Sequence, residues 1–232
     1  MKIDDLIINN NIPELKTFVY QYDYRLNYAL STASGFGFIE IARNLLEWKA
    51  DVHTDMESPL TRACSSGRTE MAKLLIEHKA DSTFPSAINL AADGGYTDIV
   101  RLLVNHKADV IKNRKPMRLA CTAGNLDTVK ALVELKADLG ENLYNYSPIH
   151  FASTEHHDKV VMFLLSKGSD LQTVCYSCVE YYEKLYREYL AYSKWRRLHL
   201  RKWIRKVLIP LYYSPQFQGG IRVKEELNSI LN

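Results

Sequence analysis

One phrase recurs along this chain at nearly constant spacing. LLEWKAD, LIEHKAD, LVNHKAD and LVELKAD end at Asp51, Asp81, Asp109 and Asp138, and LLSKGSD, ending at Asp170, is a looser copy. The steps between these aspartates are 30, 28, 29 and 32 residues. Such a period constrains the fold more than any bulk property does. It predicts small two-element units that must stack on one another as a solenoid.

The inside of each unit is more regular than the period. A glycine stands 14 residues before the aspartate at Gly37, Gly67, Gly95 and Gly124, and His156 takes that place in the last copy. Eight residues earlier stand Ala29, Pro59, Ala87, Pro116 and Pro148, so a block of 22 residues is fixed. The block reads as two helices. In SPLTRACSSGRTEMAKLLIEHKAD, Ser58 is placed to cap the first helix, and Pro59 sits at its first position, where a missing N–H costs little. Leu60, Ala63 and Cys64 share a face. Gly67 stops the helix by allowing a left-handed backbone. Met71, Leu74 and Leu75 then recur at helical spacing. The small pairs Ala63-Cys64, Ala91-Ala92 and Ala120-Cys121 keep the first helix slim, so that neighbouring units stack closely.

Over residues 25–172 these features resemble the ankyrin-repeat family, whose unit reads roughly T-P-L-H-x-A, a glycine, a leucine-rich second helix, then G-A-D. SPLTRACSSG, SAINLAADGG, KPMRLACTAG and SPIHFASTEH are the local versions. The resemblance implies an all-α ankyrin-repeat solenoid in three parts. Residues 1–24 would be a polar N-terminal capping repeat, with Leu6, Ile12, Leu15 and Phe18 facing the stack. Residues 25–172 would be five repeats, and residues 173–232 a C-terminal helical cap that includes a basic amphipathic helix. The family's unit of ~33 residues leaves ~11 for the hairpin finger between units. Here the connections are 8, 6, 7 and 10 residues, so the fingers are trimmed except the last.

Several departures carry expectations. The signature histidine is kept only as His150, read as a structural tie between loops. His78 and His106 share a column, but helices packed ~8–10 Å apart do not bring two imidazoles onto one zinc ion. His156, in place of the stop glycine, predicts a distorted turn. Cys64 and Cys121 read as buried packing residues, and Cys175-x-x-Cys178 as packing before metal or redox chemistry. No metal or cofactor is implied. Lys49, Lys79, Lys107 and Lys136 fall where the family mostly has glycine, and Gly168 keeps it. A left-handed backbone is therefore predicted at all four lysines. Their charge at a helix C-terminus offsets the cost by ~0.3–1 kcal/mol. A strip of lysines facing an anion is the weaker reading.

From Thr173 the pattern changes. CVEYYEKLYREYLAYSKWRRLHLRKWIRKVLI holds no glycine or proline and reads as one long helix, or two joined without a break. Tyr182, Leu185, Tyr189, Tyr192 and Trp195 would form a stripe that caps the stack. The run Lys194, Arg196, Arg197, Arg201, Lys202, Arg205 and Lys206 contains no acid, with Trp195, Leu198 and Trp203 interleaved. It fits a solvated cationic face, a site for an acidic protein surface, or binding to nucleic acid or an anionic membrane. IPLYYSPQFQGG then breaks the helix, and IRVKEELNSIL is expected to close the chain with a short one.

No phosphate loop, nucleophile elbow or H-E-x-x-H is present, so no enzyme is expected. The resemblance implies instead a scaffold or adaptor that binds a protein on its concave face and finger tips. The two residues before each stop are mostly small. Phe36, Phe84, Arg114, Tyr144 and Tyr146 are the candidate anchors, the tyrosines lying on the longest finger. The alternative is polyanion binding through the basic C-terminal helix. Few cysteines, two of them isolated, suit a cytoplasmic protein, and a monomer is expected. Short fingers and richness in Asn, Ile, Lys and Tyr resemble ankyrin proteins of large DNA viruses and intracellular bacteria.

Overall fold

The computed structural model describes residues 3–20, 23–53, 58–139, 147–170 and 178–203, with backbone only at 23–24 and 195–203. These residues form helices and no strand. They divide between two compact units, Met1–Cys178 and Val179–Asn232.

The first unit is a stack of helix pairs. α1 (Ile3–Ile8) and α2 (Ile12–Val19) open it, followed by α3 (Asp23–Phe36) with α4 (Ile39–Glu47) and α5 (Pro59–Ser65) with α6 (Thr69–Glu77). Then come α7 (Pro85–Asp93) with α8 (Thr97–Asn105), α9 (Lys115–Thr122) with α10 (Leu126–Glu134), and α11 (Pro148–Thr154) with α12 (Asp158–Ser166). The first helices α3, α5, α7, α9 and α11 pack side by side as an inner row, and the second helices form a looser outer row. The difference follows from side-chain size. Ala63, Cys64, Ala91, Ala92, Ala120 and Cys121 are all fully buried in the inner row and hold its helices close. Leu45, Met71, Leu75, Ile99, Leu103, Leu132 and Leu164 fill the space between rows. Truncating one such residue to alanine costs about 2–5 kcal/mol.

Most helices end in the same way. In α6 the Ala80 N–H donates to Leu75 O at 2.9 Å and the Lys79 N–H to Ile76 O at 2.9 Å. This paired closure satisfies carbonyls that a helix end leaves open, and it requires a left-handed residue at its centre. Lys49, Lys79, Lys107 and Lys136 supply it with φ of 73°, 72°, 75° and 63°, as the sequence predicted. The alanine after each lysine, Ala50, Ala80, Ala108 or Ala137, is buried under the turn.

Four local expectations change. Ser58 stands at the start of α5 but makes no side-chain capping bond. α7 begins at Pro85 rather than Ala87, because a proline ring already holds a helical φ two residues upstream. In the N-terminal pair Leu6 and Leu15 are buried as expected, but Ile7 and Val19 join them, while Ile12 and Phe18 are half-buried. The turn at His156 is not distorted. His156 takes φ 56°, and its N–H and that of His157 close α11 at 3.2 and 2.9 Å like the glycine turns. Its side chain is exposed, so only the backbone cost arises.

In the second unit α13 runs unbroken over Val179–Trp203. Tyr182 is fully buried and Leu185 half-buried, but Tyr189 and Tyr192 are exposed. Among the described side chains, the expected stripe is therefore buried only at its start, and the Trp195 side chain lies outside them. The closing segment IRVKEELNSIL lies outside the described residues.

Candidate functional site

The inner helices α5, α7, α9 and α11 each leave one narrow face uncovered. On α7 every side chain is buried except those of Pro85, Ser86, Leu90 and Asp93. The same register on the neighbouring helices presents Thr61, Arg62 and Ser65, then Lys115, Arg118, Leu119 and Thr122, then His150, Phe151 and Thr154. Pro85 apart, these are i, i+3, i+4 and i+7 positions, one face of a helix, with the i+3 position of α7 filled by the buried Asn89. Because the inner helices pack in register, the faces join into one strip. At the position five before the stops of these four helices the strip carries Arg62, Leu90, Leu119 and Phe151, a column that the sequence reading did not weigh; its counterpart on α3, Thr32, is buried. Leu90 is 38% exposed, and the Arg118 guanidinium lies over the Phe151 ring at 5.6 Å. Aligning the repeats on their stops would have exposed this column, since those residues sit at one register in every unit.

The edge of the strip is stitched across repeats. The residue after each stop both ends one helix and begins the next. Asn125 at that place would ordinarily cap α10. Its amide instead donates to Asp93 O at 2.8 Å and Ala92 O at 3.2 Å in the preceding repeat. Arg68 Nε donates to Gly35 O at 3.2 Å, and His157 Nε2 lies 2.9 Å from Thr122 O. Each stitch supplies a donor to carbonyls at an inner-helix C-terminus, which lack partners within their own helix. The crossing side chain runs directly over the stop of the repeat it reaches. A Cβ on Gly67 would stand 2.4 Å from the Tyr96 ring, on Gly95 2.8 Å from Asn125, and on Gly124 2.6 Å from His157.

The fingers open on the aspartate of the repeated phrase. Asp51, Asp81 and Asp109 each accept from the backbone N–H two residues on, at 2.8, 2.9 and 2.8 Å. The Thr83 hydroxyl and then its N–H hold the Asp81 carboxyl below the usual carboxylate range, and the N–H groups of Lys112 and then Ile111 do so for Asp109. Ser82 Oγ adds a tie to His106 O in the next repeat at 2.6 Å.

The expected anchors fall in different surroundings. Phe36 and Phe84 are about half exposed, at 47% and 49%, with Phe36 stacked on Phe38 at 5.7 Å between ring centres. Arg114 pairs with Asp138 at 2.6 Å, so its charge is used within the molecule. Tyr144, Tyr146, Arg205 and Lys206 lie outside the described residues. Lys194 is exposed, while Arg196, Arg197, Arg201 and Lys202 are placed on α13 by backbone alone.

His150 is half-buried, with its ring edge-on to Phe151. His78 and His106 are exposed. Among the described residues no group of three or more His, Cys, Asp or Glu is placed to hold a metal ion. Burial pushes the Cys64 and Cys121 thiols up to about 12, which keeps them unreactive packing groups. Cys178 is buried, its Sγ 3.8 Å from Ser153 O, and Cys175 lies outside the described residues. Lys49, Lys79, Lys107 and Lys136 are all exposed. An exposed acid stands two residues before Lys49, Lys79 and Lys136, at Glu47, Glu77 and Glu134.

Comparison with known proteins agrees with this geometry. A family model described as ankyrin repeats (3 copies) matches residues 6–87, 26–114 and 88–175. The chain is similar to the crystal structure of the human ASB11 ankyrin repeat domain, with a TM-score of 0.65 and 24% identity over 74% of this chain and 85% of that one. At that identity the likeness concerns the fold. No curated protein matches the sequence.

Proposed function

This chain belongs to the ankyrin-repeat family, and from that premise we propose that it is a non-enzymatic scaffold holding a protein partner on the inner-helix strip and the adjoining fingers. Ankyrin repeats are generally protein–protein interaction modules. The observation that supports this reading is the strip itself, an uncovered face shared in register by α5, α7, α9 and α11. A partner laid along it meets four repeats at once. Phe36 and Phe84 add exposed aromatic surface, the residue class that dominates binding energy at interfaces. The free, buried thiols of Cys64 and Cys121 support a reducing, cytoplasmic setting.

The test is affinity capture from the native host with the full chain and two variants. Leu90→Glu with Phe36→Ala should lose the partner while keeping the helical circular dichroism and unfolding midpoint of the parent. Arg196, Arg197, Arg201 and Lys202 changed together to alanine should retain it. The reverse pattern would sink the proposal and move the site to α13.

A further inference from the structure

Resting on the reading of the inner-helix strip as a protein-binding face, we infer that its occupant is an acidic segment of the partner that seats apolar side chains about 10 Å apart on Leu90, Leu119 and Phe151.

Charge argues for the acidic character. The four inner helices that form the strip, α5, α7, α9 and α11, carry Arg62, Lys115 and Arg118 against a single carboxylate, Asp93. The outer helices α6, α8, α10 and α12 carry Lys73, Arg101, Lys130 and Lys159 against Glu70, Glu77, Asp98, Asp127, Glu134 and Asp158. Lys73 pairs with Glu70, Arg101 with Glu134, and Lys130 with Asp127, at 2.7, 2.6 and 3.0 Å. The inner strip is thus the more positive side of the repeats. Its cations flank an apolar row, and this arrangement sets both the sign and the anchor chemistry of what fits.

Geometry argues for the spacing. Leu90, Leu119 and Phe151 hold the same register on adjacent helices, and packed helices lie about 8–10 Å apart. A segment crossing the repeats in polyproline II conformation returns to one face every third residue, a rise of ~9 Å. It would therefore set one apolar residue on each of α7, α9 and α11, with acidic residues between them reaching Lys115 and Arg118.

The probe is a labelled peptide of about 12 residues, with leucine at every third position and glutamate between, titrated into the full chain at low and high salt. Binding is expected, weakening as salt rises. It should fall at least ~10-fold with Arg118→Glu and again with Leu119→Glu, as for any fully used charge or anchor. Arg118 lies on the uncovered face, so Arg118→Glu keeps the fold, which the unfolding midpoint checks. Equal binding of a peptide with lysine or serine in place of glutamate overturns the inference, as does equal binding by Arg118→Glu. Loss of binding only when the cations of α13 are removed also overturns it. If no peptide binds while native partner capture still depends on Leu90, the occupant's chemistry is wrong and the scaffold reading stands.

Discussion

Each repeat contains two left-handed turns, and nature fills them differently. The turn between helices holds Gly37, Gly67, Gly95 and Gly124, while the turn after the second helix holds Lys49, Lys79, Lys107 and Lys136. The backbone is the same in both, with φ between 63° and 84°. A left-handed residue with a side chain costs ~1–2 kcal/mol in either place. What differs is the space above the turn. Over the first, a side chain from the next repeat crosses at a distance that no Cβ tolerates. Over Gly168, the glycine of the second column, nothing described lies within 4 Å of an added Cβ. Strain alone is affordable; strain together with crowding is not. His156 fits the same rule, since its side chain is exposed.

This contrast is open to measurement. Gly67→Ala should produce the largest effect, a loss of about 2–4 kcal/mol in urea unfolding, because overpacking against Tyr96 adds to the backbone cost. Combining it with Tyr96→Ala should recover the steric part, as a double-mutant cycle would show. A loss no greater than that of an exposed Gly168→Ala would break the comparison. Next, His156→Gly should stabilise by up to about 1 kcal/mol. Lys79→Gly should move stability by less than about 1 kcal/mol, since relief of strain is offset by chain entropy and by the lost charge at the helix end. A larger loss at Lys79 would mean that the second column is crowded after all.

Asp81 and Asp109 give a smaller, pH-dependent effect. Their folded carboxyls titrate below the usual range. The stability they add is therefore present above the ordinary carboxylate pKa and lost as pH falls through the depressed folded values. A variant with both changed to asparagine should show a flatter acid limb in thermal melts, and its difference from the parent should vanish at the lowest pH. Smallest of all, Arg114→Ala should cost about 0.5 kcal/mol or less, as an exposed ion pair does. A larger loss in urea unfolding would make the Arg114–Asp138 pair a structural tie.

Much of this was legible in the letters. The period gives the stack, the stops give the helix ends, and the lysines give the left-handed turns, because each is a property of a short stretch of chain. The strip and its stitches were harder to read. Asn125 looks like a cap for its own helix, and only the nearness of Asp93 O shows that it serves the previous repeat. Arg114 looks like a free anchor until Asp138 appears beside it. Leu90, Leu119 and Phe151 look like ordinary helix residues, since no two of them are near in sequence.

By itself, then, the sequence determined a stack of two-helix units, its phase, and a left-handed backbone at Lys49, Lys79, Lys107 and Lys136. Those outcomes depend on local sterics and on hydrophobic periodicity. The tertiary structure decided which left-handed column must be glycine, where the stitches go, and which residues line the open strip. These are contacts between units about 30 residues apart in the chain, and they are fixed only by how closely the small residues of the inner helices let those helices approach.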